Sequence, residues 1–342
     1  MDLDEVVSRL ETLAPPSLAE SWDNVGLLAV SSVPSAVRSL LLTVDLTEGV
    51  LREAMKIPAQ MILAYHPPIF RPLLRLGGST WKERVLTGAL ENRVAIYSPH
   101  TALDAIPGGV NDWLAGCLGE GSRKPLSQSS WDTGRQRVDI PLPGGFDLKP
   151  MIARLLELQG VSIMSGSSSP GTRLSLSCHR SGVLEALRVI NDYEEVRSSV
   201  EIVGLVKAPL PGTGMGRFCR LTNVSPLSEV VQMVKEHLGL KHVRLALGTG
   251  RSLDSSVKTA AVCAGSGGSI LDGVEADLYL TGEMSHHQVL DAVSRGTSVI
   301  LCEHSNTERG FLPHLAALLA PLLGPEVSIH ISTEDSEPIS IV

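Results

Sequence analysis

Apolar positions along this chain follow two rhythms. Short, nearly unbroken runs at Ser39–Val44, Met61–Tyr65, Val94–Tyr97, Thr259–Ala264, Asp277–Leu280 and Ser298–Leu301 read as strands covered on both faces. Between them lie helix-type segments, Leu3–Leu13, Glu48–Lys56, Lys82–Asn92, Val110–Leu118 and Thr307–Leu319. The last places Phe311, Leu312, Leu315, Leu318 and Leu319 close to a helical period. Strands alternating with helices predict an α/β fold with a mostly parallel central sheet.

The middle of the chain breaks this rhythm. A polar stretch, "GSRKPLSQSS" (121–130), leaves the first half. Val138–Ile140, Leu148–Leu158, Val161–Met164, Leu174–Cys178, Gly182–Asn191 and Val200–Gly204 then read β-α-β-β-α-β, the order of a ferredoxin-like unit. A helix at Leu227–Leu238 and a turn at "GTGRS" lead back. The expected organisation is a discontinuous α/β core, 1–120 with 252–342, interrupted by an inserted α+β domain, 121–251.

Composition narrows the classes without naming a function. A hydrophobic fraction of 43% with 19% charged residues is that of a soluble globular protein, and aromatics at 4% leave the core to Leu, Val, Ile and Ala. A net charge of −8 with no basic run argues against direct DNA binding. The five cysteines show no C-x-x-C spacing and read as reduced, buried thiols. No segment has the apolar length of a membrane span, and the acidic start "MDLDEVVSRLETL" is neither a signal nor a transit peptide. A cytoplasmic and nuclear location is the expectation.

Chemistry collects where the strands end, which is where open α/β sheets bind ligands. Asp45 follows "LLLTV", His66 follows "MILAY", and His100 and Asp104 follow "VAIYS". Glu283, His286 and His287 follow "DLYLTG", and His304 and Glu308 follow "VILC". Five of the chain's ten histidines fall in this set. Two prolines directly after His66 hold that stretch extended. His66, Asp104, His304 and Glu308 form a candidate mixed N/O site for a divalent transition metal, Zn, Fe or Mn. If two ions share a glutamate, they activate water and clamp the entering and leaving oxygens of a displacement. His100, His286 and His287 are candidates for orienting or acid–base work. The competing reading of "EHSNTERGF" is a capping box, with Ser305 as N-cap and Glu308 as its acid. "PGTGMGRF" (211–218) lacks the frame of a dinucleotide fingerprint and reads better as a tight turn than as a phosphate cradle, and "AGSGGS" (264–269) is a weak anion-site signal.

Six stretches in order carry a resemblance: "ESWDNVGLL" (20–28), "YHPPIF" (65–70), "SPHTALDAIPGGVNDWLA" (98–115), "GTGMGRF" (212–218), "LTGEMSHHQVLDA" (280–292) and "EHSNTERGF" (303–311). Together they resemble the Nif-three-like family, named for interaction with the yeast transcription factor Ngg-one and also labelled GTP cyclohydrolase 1 type 2. "STWKERV" (79–85) and the Pro-Pro after His66 are similar to its animal branch. The resemblance implies a two-domain α/β fold with a dinuclear metal site whose ligands come from a His-His pair, an Asp and a His-x3-Glu. Carried over, these are His66 as the second of the pair, Asp104, His304 and Glu308. Tyr65 stands where the first histidine belongs. On this carry-over one metal keeps His66, Asp104 and Glu308, and the other keeps only His304 and Glu308. A phenol is a poor ligand at neutral pH, so one metal per chain is expected and the second site weakened. "NDYEE" (191–195) stands where longer bacterial members carry a His-containing motif, which leaves the insert as an interaction surface.

The resemblance further implies a homodimer, in some members a larger ring, and protein partners in transcription regulation. Two functions follow. The first is a metal-binding transcriptional co-regulator, a corepressor, acting through protein–protein contacts with no direct DNA binding and no membrane. The alternative is a divalent-metal-dependent hydrolase acting on a nucleotide or phosphate-containing small molecule. Nothing in the sequence supports cyclohydrolase chemistry, since the Cys/His zinc pattern wanted for purine-ring opening is missing.

Overall fold

The computed structural model describes residues 1–33, 35–129, 131–165, 173–207 and 211–341, with the backbone alone for 131–134, 180 and 206–207. It is a mixed α/β fold with several sheets. Met1–Ser129 with Leu210–Val342 form one unit and Ser130–Pro209 a second.

The first unit holds two large sheets where the sequence suggested one. In the five-stranded sheet the order is Gly26–Ala29, Ala95–Ser98, Met61–Ala64, Ser39–Thr43 and Ser328–Ile331, parallel throughout except at the first pair. The three central strands are buried at every position, as their unbroken apolar runs require. In the six-stranded sheet the order is Arg244–Ala246, Ser298–Leu301, Leu278–Glu283, Ser256–Ser266, Arg217–Pro226 and Gly121–Lys124. Only the pairings among Ser298–Leu301, Leu278–Glu283 and Ser256–Ser266 are parallel. The antiparallel side escaped the sequence reading because Gly121–Lys124 is exposed and Arg217–Pro226 buries only alternate positions at its start. Strands with one wet face carry no apolar run to announce them.

The second unit has the expected β-α-β-β-α-β order. Its four strands lie Glu201–Lys207, Trp131–Pro141, Arg173–His179, Val161–Ser165, all pairings antiparallel. Helices Lys149–Leu156 and Arg180–Asn191 contribute Met151, Leu155, Ala186 and Ile190 to a core with Val138, Ile140, Leu174 and Leu176. "NDYEE" closes the second of these helices: Asp192 pairs with Arg154 at 2.7 Å, and the Tyr193 ring packs edge-on to Phe146. The unit is narrower than the 121–251 expected from sequence, because 121–129 and 211–251 fold with the first unit. Its two ends are tied there by a short ladder of Ser127–Gln128 against Gly214–Met215.

That ladder explains "GTGMGRF". Arg217 is the largest fully buried side chain among the described residues. It donates from Nε and a terminal nitrogen to both oxygens of Asp112, each at 2.8 Å, and to the carbonyls of Gly214, Gly216 and Ile106 at 2.7, 2.8 and 2.9 Å. All five guanidinium N–H groups are thereby used. A Cβ at Gly214 would lie 2.1 Å from the Ser127 carbonyl oxygen, so the glycine is demanded by the ladder and not by a phosphate.

Helix Thr307–Leu319, expected as one piece, is two: Asn306–Arg309 and Leu312–Leu323. Pro313 has no N–H for the Arg309 carbonyl, and Gly310 lies so close to the Trp113 ring that a Cβ would meet it at 2.6 Å. Glu308 therefore rides on a single turn wedged beneath the long helix. His100 and Asp104 share the helix His100–Ala105.

Two predictions concern this framework. Arg217→Met takes the guanidinium from three carbonyls and from Asp112, which keeps the Gly108 N–H, and should cost about 3–5 kcal/mol, read from urea unfolding; a loss below about 1 kcal/mol would refute the role given to the guanidinium. Burial pushes the Asp277 carboxyl up, but the N–H groups of Lys258 and Thr259 and the Arg251 guanidinium outweigh it and hold it below the usual carboxylate range. Its stabilisation is thus present above about pH 4 and lost as pH falls through the folded-state value. Asp277→Asn should be less stable than the parent at pH 7, with the two curves converging in acid.

Candidate metal centre

The carboxyl ends of the parallel strands in both sheets of the first unit open on one cleft. Asp45 follows Ser39–Thr43, Tyr65 and His66 follow Met61–Ala64, and His100 follows Ala95–Ser98. From the other sheet, Gly265 lies near the end of Ser256–Ser266, Glu283 ends Leu278–Glu283, and His304 follows Ser298–Leu301. The cleft measures about 560 Å³; Trp22, Phe70 and Trp81 line it, as do Tyr65, His66, His100, Asp104, His304 and Glu308. His286 and His287 do not join them. They stand exposed on the first turn of helix His286–Ser294, their rings 5.6 Å apart.

At the floor, the Glu308 side chain is 3% exposed and faces two imidazoles. Its Oε2 lies 3.3 Å from His66 Nε2 and its Oε1 3.4 Å from His304 Nε2. Ligand atoms of these three residues lie within 4.8 Å of one another. Oε2 has no hydrogen-bond partner although it is buried. The capping-box alternative fails here: Ser305 makes no side-chain cap, and its hydroxyl donates to Glu337 instead.

The far nitrogen of each ring is held by a carboxylate. His66 Nδ1 meets Asp45 at 2.9 Å, His304 Nδ1 meets Glu283 at 2.9 Å, and His100 Nδ1 meets Asp23 at 2.7 Å. This fixes the tautomer and frees Nε2, the arrangement that metal-binding histidines use. Burial pulls the His66 imidazole down, yet Glu308 and Asp45 outweigh it and push its pKa up to about 10. The pocket calls for positive charge, which a proton supplies when no cation does. Gly265 (φ +61°) completes the fit: a Cβ there would sit 2.5 Å from Glu308 Oε1 and 3.0 Å from His304 Nε2. Two imidazoles and one carboxylate are a donor set for Zn, Fe or Mn.

Asp104 stands apart from that group. The buried Tyr65 hydroxyl donates to it in a short hydrogen bond. Burial, then the charges of Asp104 and Glu308, push the Tyr65 phenol well above its ordinary value. Burial raises the Asp104 carboxyl to about 6, with Glu308 adding and Tyr65 and His100 opposing. The carried-over grouping is thus rearranged. The fold brings His66 together with His304 and Glu308, and Tyr65 with Asp104.

Sequence reasoning missed Asp23, which sits inside "ESWDNVGLL" with no spacing relation to His100, and gave Asp45 and Glu283 no task although both follow strands. "AGSGGS" proves to be the shelf under the centre: the Gly265 N–H donates to Thr307 Oγ1 at 2.8 Å, and the Gln288 amide closes over Gly268.

A family model described as Duf34/NIF3 (NGG1p interacting factor 3) matches residues 1–338. The chain belongs to the Duf34/NIF3 family. NIF3-like protein 1 of Homo sapiens is 48% identical over 350 aligned positions, covering 100% of this chain and 93% of that protein. NGG1-interacting factor 3 of Saccharomyces cerevisiae is 31% identical, covering 99% of this chain and 96% of that protein. Among solved structures, the Bacillus cereus protein related to NIF3 superposes with a TM-score of 0.69 at 25% identity, covering 100% of this chain and 99% of that one. Among the described residues of this NIF3-family chain, no helix is long and apolar enough to cross a membrane.

The rearranged ligand sets make a direct prediction. Tyr65→His removes the hydroxyl from Asp104 and adds an imidazole, so metal content by elemental mass spectrometry should rise from one ion per chain to two. A parent already holding two ions would show that Tyr65 does not block the second set.

Proposed function

We propose that this NIF3-family chain binds one divalent transition metal through His66, His304 and Glu308, and that it serves transcription regulation, as a corepressor, through contacts with other proteins. The observation that carries the metal reading is the buried Glu308 carboxylate, with Oε2 unpartnered, set between two imidazoles whose other nitrogens are already held. The name of the yeast relative, an NGG1-interacting factor, supports the regulatory half. The acidic composition favours action through proteins and not through DNA phosphates. Association into a homodimer or larger ring belongs to the same proposal, as does residence in cytoplasm and nucleus.

The cleft above the centre favours one second reading, a metal-dependent hydrolase. A bound ion would supply Lewis acidity at the cleft floor. Around it, Asp45 and Glu283 hold the imidazoles in register, Trp22 and Phe70 pack edge-to-face at 5.9 Å along the wall, and His100, backed by Asp23, presents its free nitrogen for proton transfer. This reading leaves open which nucleotide or phosphate-containing small molecule is used.

Glu308→Ala separates the parts. Metal content should fall from one ion to none, and the metal-free fold should lose stability, because the carboxylate facing the protonated His66 ring is removed. Tethered at a reporter promoter, parent and variant should both repress if protein contacts suffice. Phosphoesterase turnover by the parent, abolished in the variant, would instead establish the hydrolase. A variant that retains its metal would refute the assigned ligands.

A further inference from the structure

The metal ligands are held by carboxylates, and one of those carboxylates is itself held from an unexpected place. After the last strand, Ser328–Ile331, the chain continues as a strap across the carboxyl end of Ser39–Thr43. Asp335 on that strap is buried, its side chain 1% exposed. Its Oδ2 accepts the Val44 N–H at 2.7 Å, a backbone donor beyond the last residues that Ser328–Ile331 pairs. The Val44 carbonyl accepts the His66 N–H at 3.0 Å, so one residue ties the strap to a ligand's backbone. The other oxygen, Oδ1, accepts from Arg309 at 3.0 Å.

Arg309 is the next link. It neighbours Glu308 on the single turn, donates to Ser305 Oγ at 2.9 Å, and lies 3.6 Å from Asp45 Oδ2. Asp45 Oδ1 is the atom that meets His66 Nδ1. Ser305 in turn donates to Glu337, again on the strap. A path of ion pairs and hydrogen bonds therefore runs Asp335, Arg309, Asp45, His66, and closes on Glu308 through Arg309's own backbone.

From this we infer that Asp335 is a positioning residue for the metal centre. By taking half of Arg309's charge, it keeps the guanidinium from drawing Asp45 off the His66 ring. The inference rests on the metal reading above. Without the Asp335 charge, Arg309 has Asp45 as its remaining carboxylate, and the half-buried guanidinium is drawn toward it. His66 then loses the acceptor that fixes its tautomer. Loss of the carboxylate that backs a metal-binding histidine commonly lowers affinity by tenfold or more, and that carboxylate is Asp45.

Glu53 is the internal control. It anchors the same strap through Ser332 and Thr333, with contacts at 2.8–2.9 Å from Thr333, but touches neither Arg309 nor Asp45.

The experiment titrates Zn(II) alone against parent, Asp335→Asn and Glu53→Gln, by competition with a chromophoric chelator. It also measures metal-free thermal unfolding and the nitrogen chemical shifts of His66. Asp335→Asn keeps an oxygen for the Val44 N–H and turns an amide nitrogen toward Arg309, so the Arg309 pairing is lost with the charge. The expected result is Zn(II) affinity lowered about tenfold with shifted His66 ring-nitrogen resonances in Asp335→Asn, against unchanged affinity and shifts in Glu53→Gln. Affinity in Asp335→Asn within twofold of the parent overturns the inference. So does an equal loss in both variants, which would make the strap merely structural. A parent that binds no Zn(II) removes the metal reading and this inference with it.

Discussion

Everything at the centre depends on one carboxylate being out of water. A buried glutamate side chain with an unpartnered oxygen is expensive, and a fold keeps one only where something else supplies compensation. Here the compensation is cationic, a protonated His66 or a metal ion. The surrounding geometry follows from that demand. The helix breaks at Gly310 so that Glu308 can ride a single turn, Gly265 gives up its side chain to make room, and three imidazoles are each backed by an acid.

Much of this was legible in the sequence, and the boundary of legibility is physical. Doubly buried strands announce themselves as unbroken apolar runs, so the central strands and the residues ending them could be read directly. His66, His100, Asp104, His304 and Glu308 were all found that way, and the structure gathers them along one cleft. His286 and His287 follow a strand too but stand on the outside, because their helix turns them outward and strand-end position says nothing of direction. The grouping of ligands was not readable either. Residues adjacent in sequence, Tyr65 and His66, serve different partners although their rings lie 5.1 Å apart in the same cleft. The split into two sheets was hidden by strands with one wet face. The helix break needed Trp113 pressed on Gly310, a contact between residues far apart in the chain.

The Tyr65–Asp104 pair gives this family member its own character. Both groups are buried; Asp104 makes the Tyr65 phenol harder to ionise, while the Tyr65 hydroxyl eases the ionisation of Asp104, so the proton stays on the phenol. The phenol's hydrogen bond solvates the Asp104 carboxylate without cancelling its charge, and it brings no coordination sphere. Among the described residues the cleft floor offers one grouping of donor atoms, His66, His304 and Glu308.

The two-stranded ladder that ties Ser127–Gln128 to Gly214–Met215 has a consequence for how such a chain can change over time. Seen from the first unit, whatever lies between those ladder strands is a loop with clamped ends, and the entropic cost of closing a loop grows only with the logarithm of its length, about 0.6 kcal/mol per doubling. The metal-centre residues all lie outside that interval. Lineages are therefore free to lengthen, shorten or replace the intervening unit at nearly constant thermodynamic cost to the centre. The interval is a socket in which new recognition surfaces can be tried while the chemistry at the cleft is left alone.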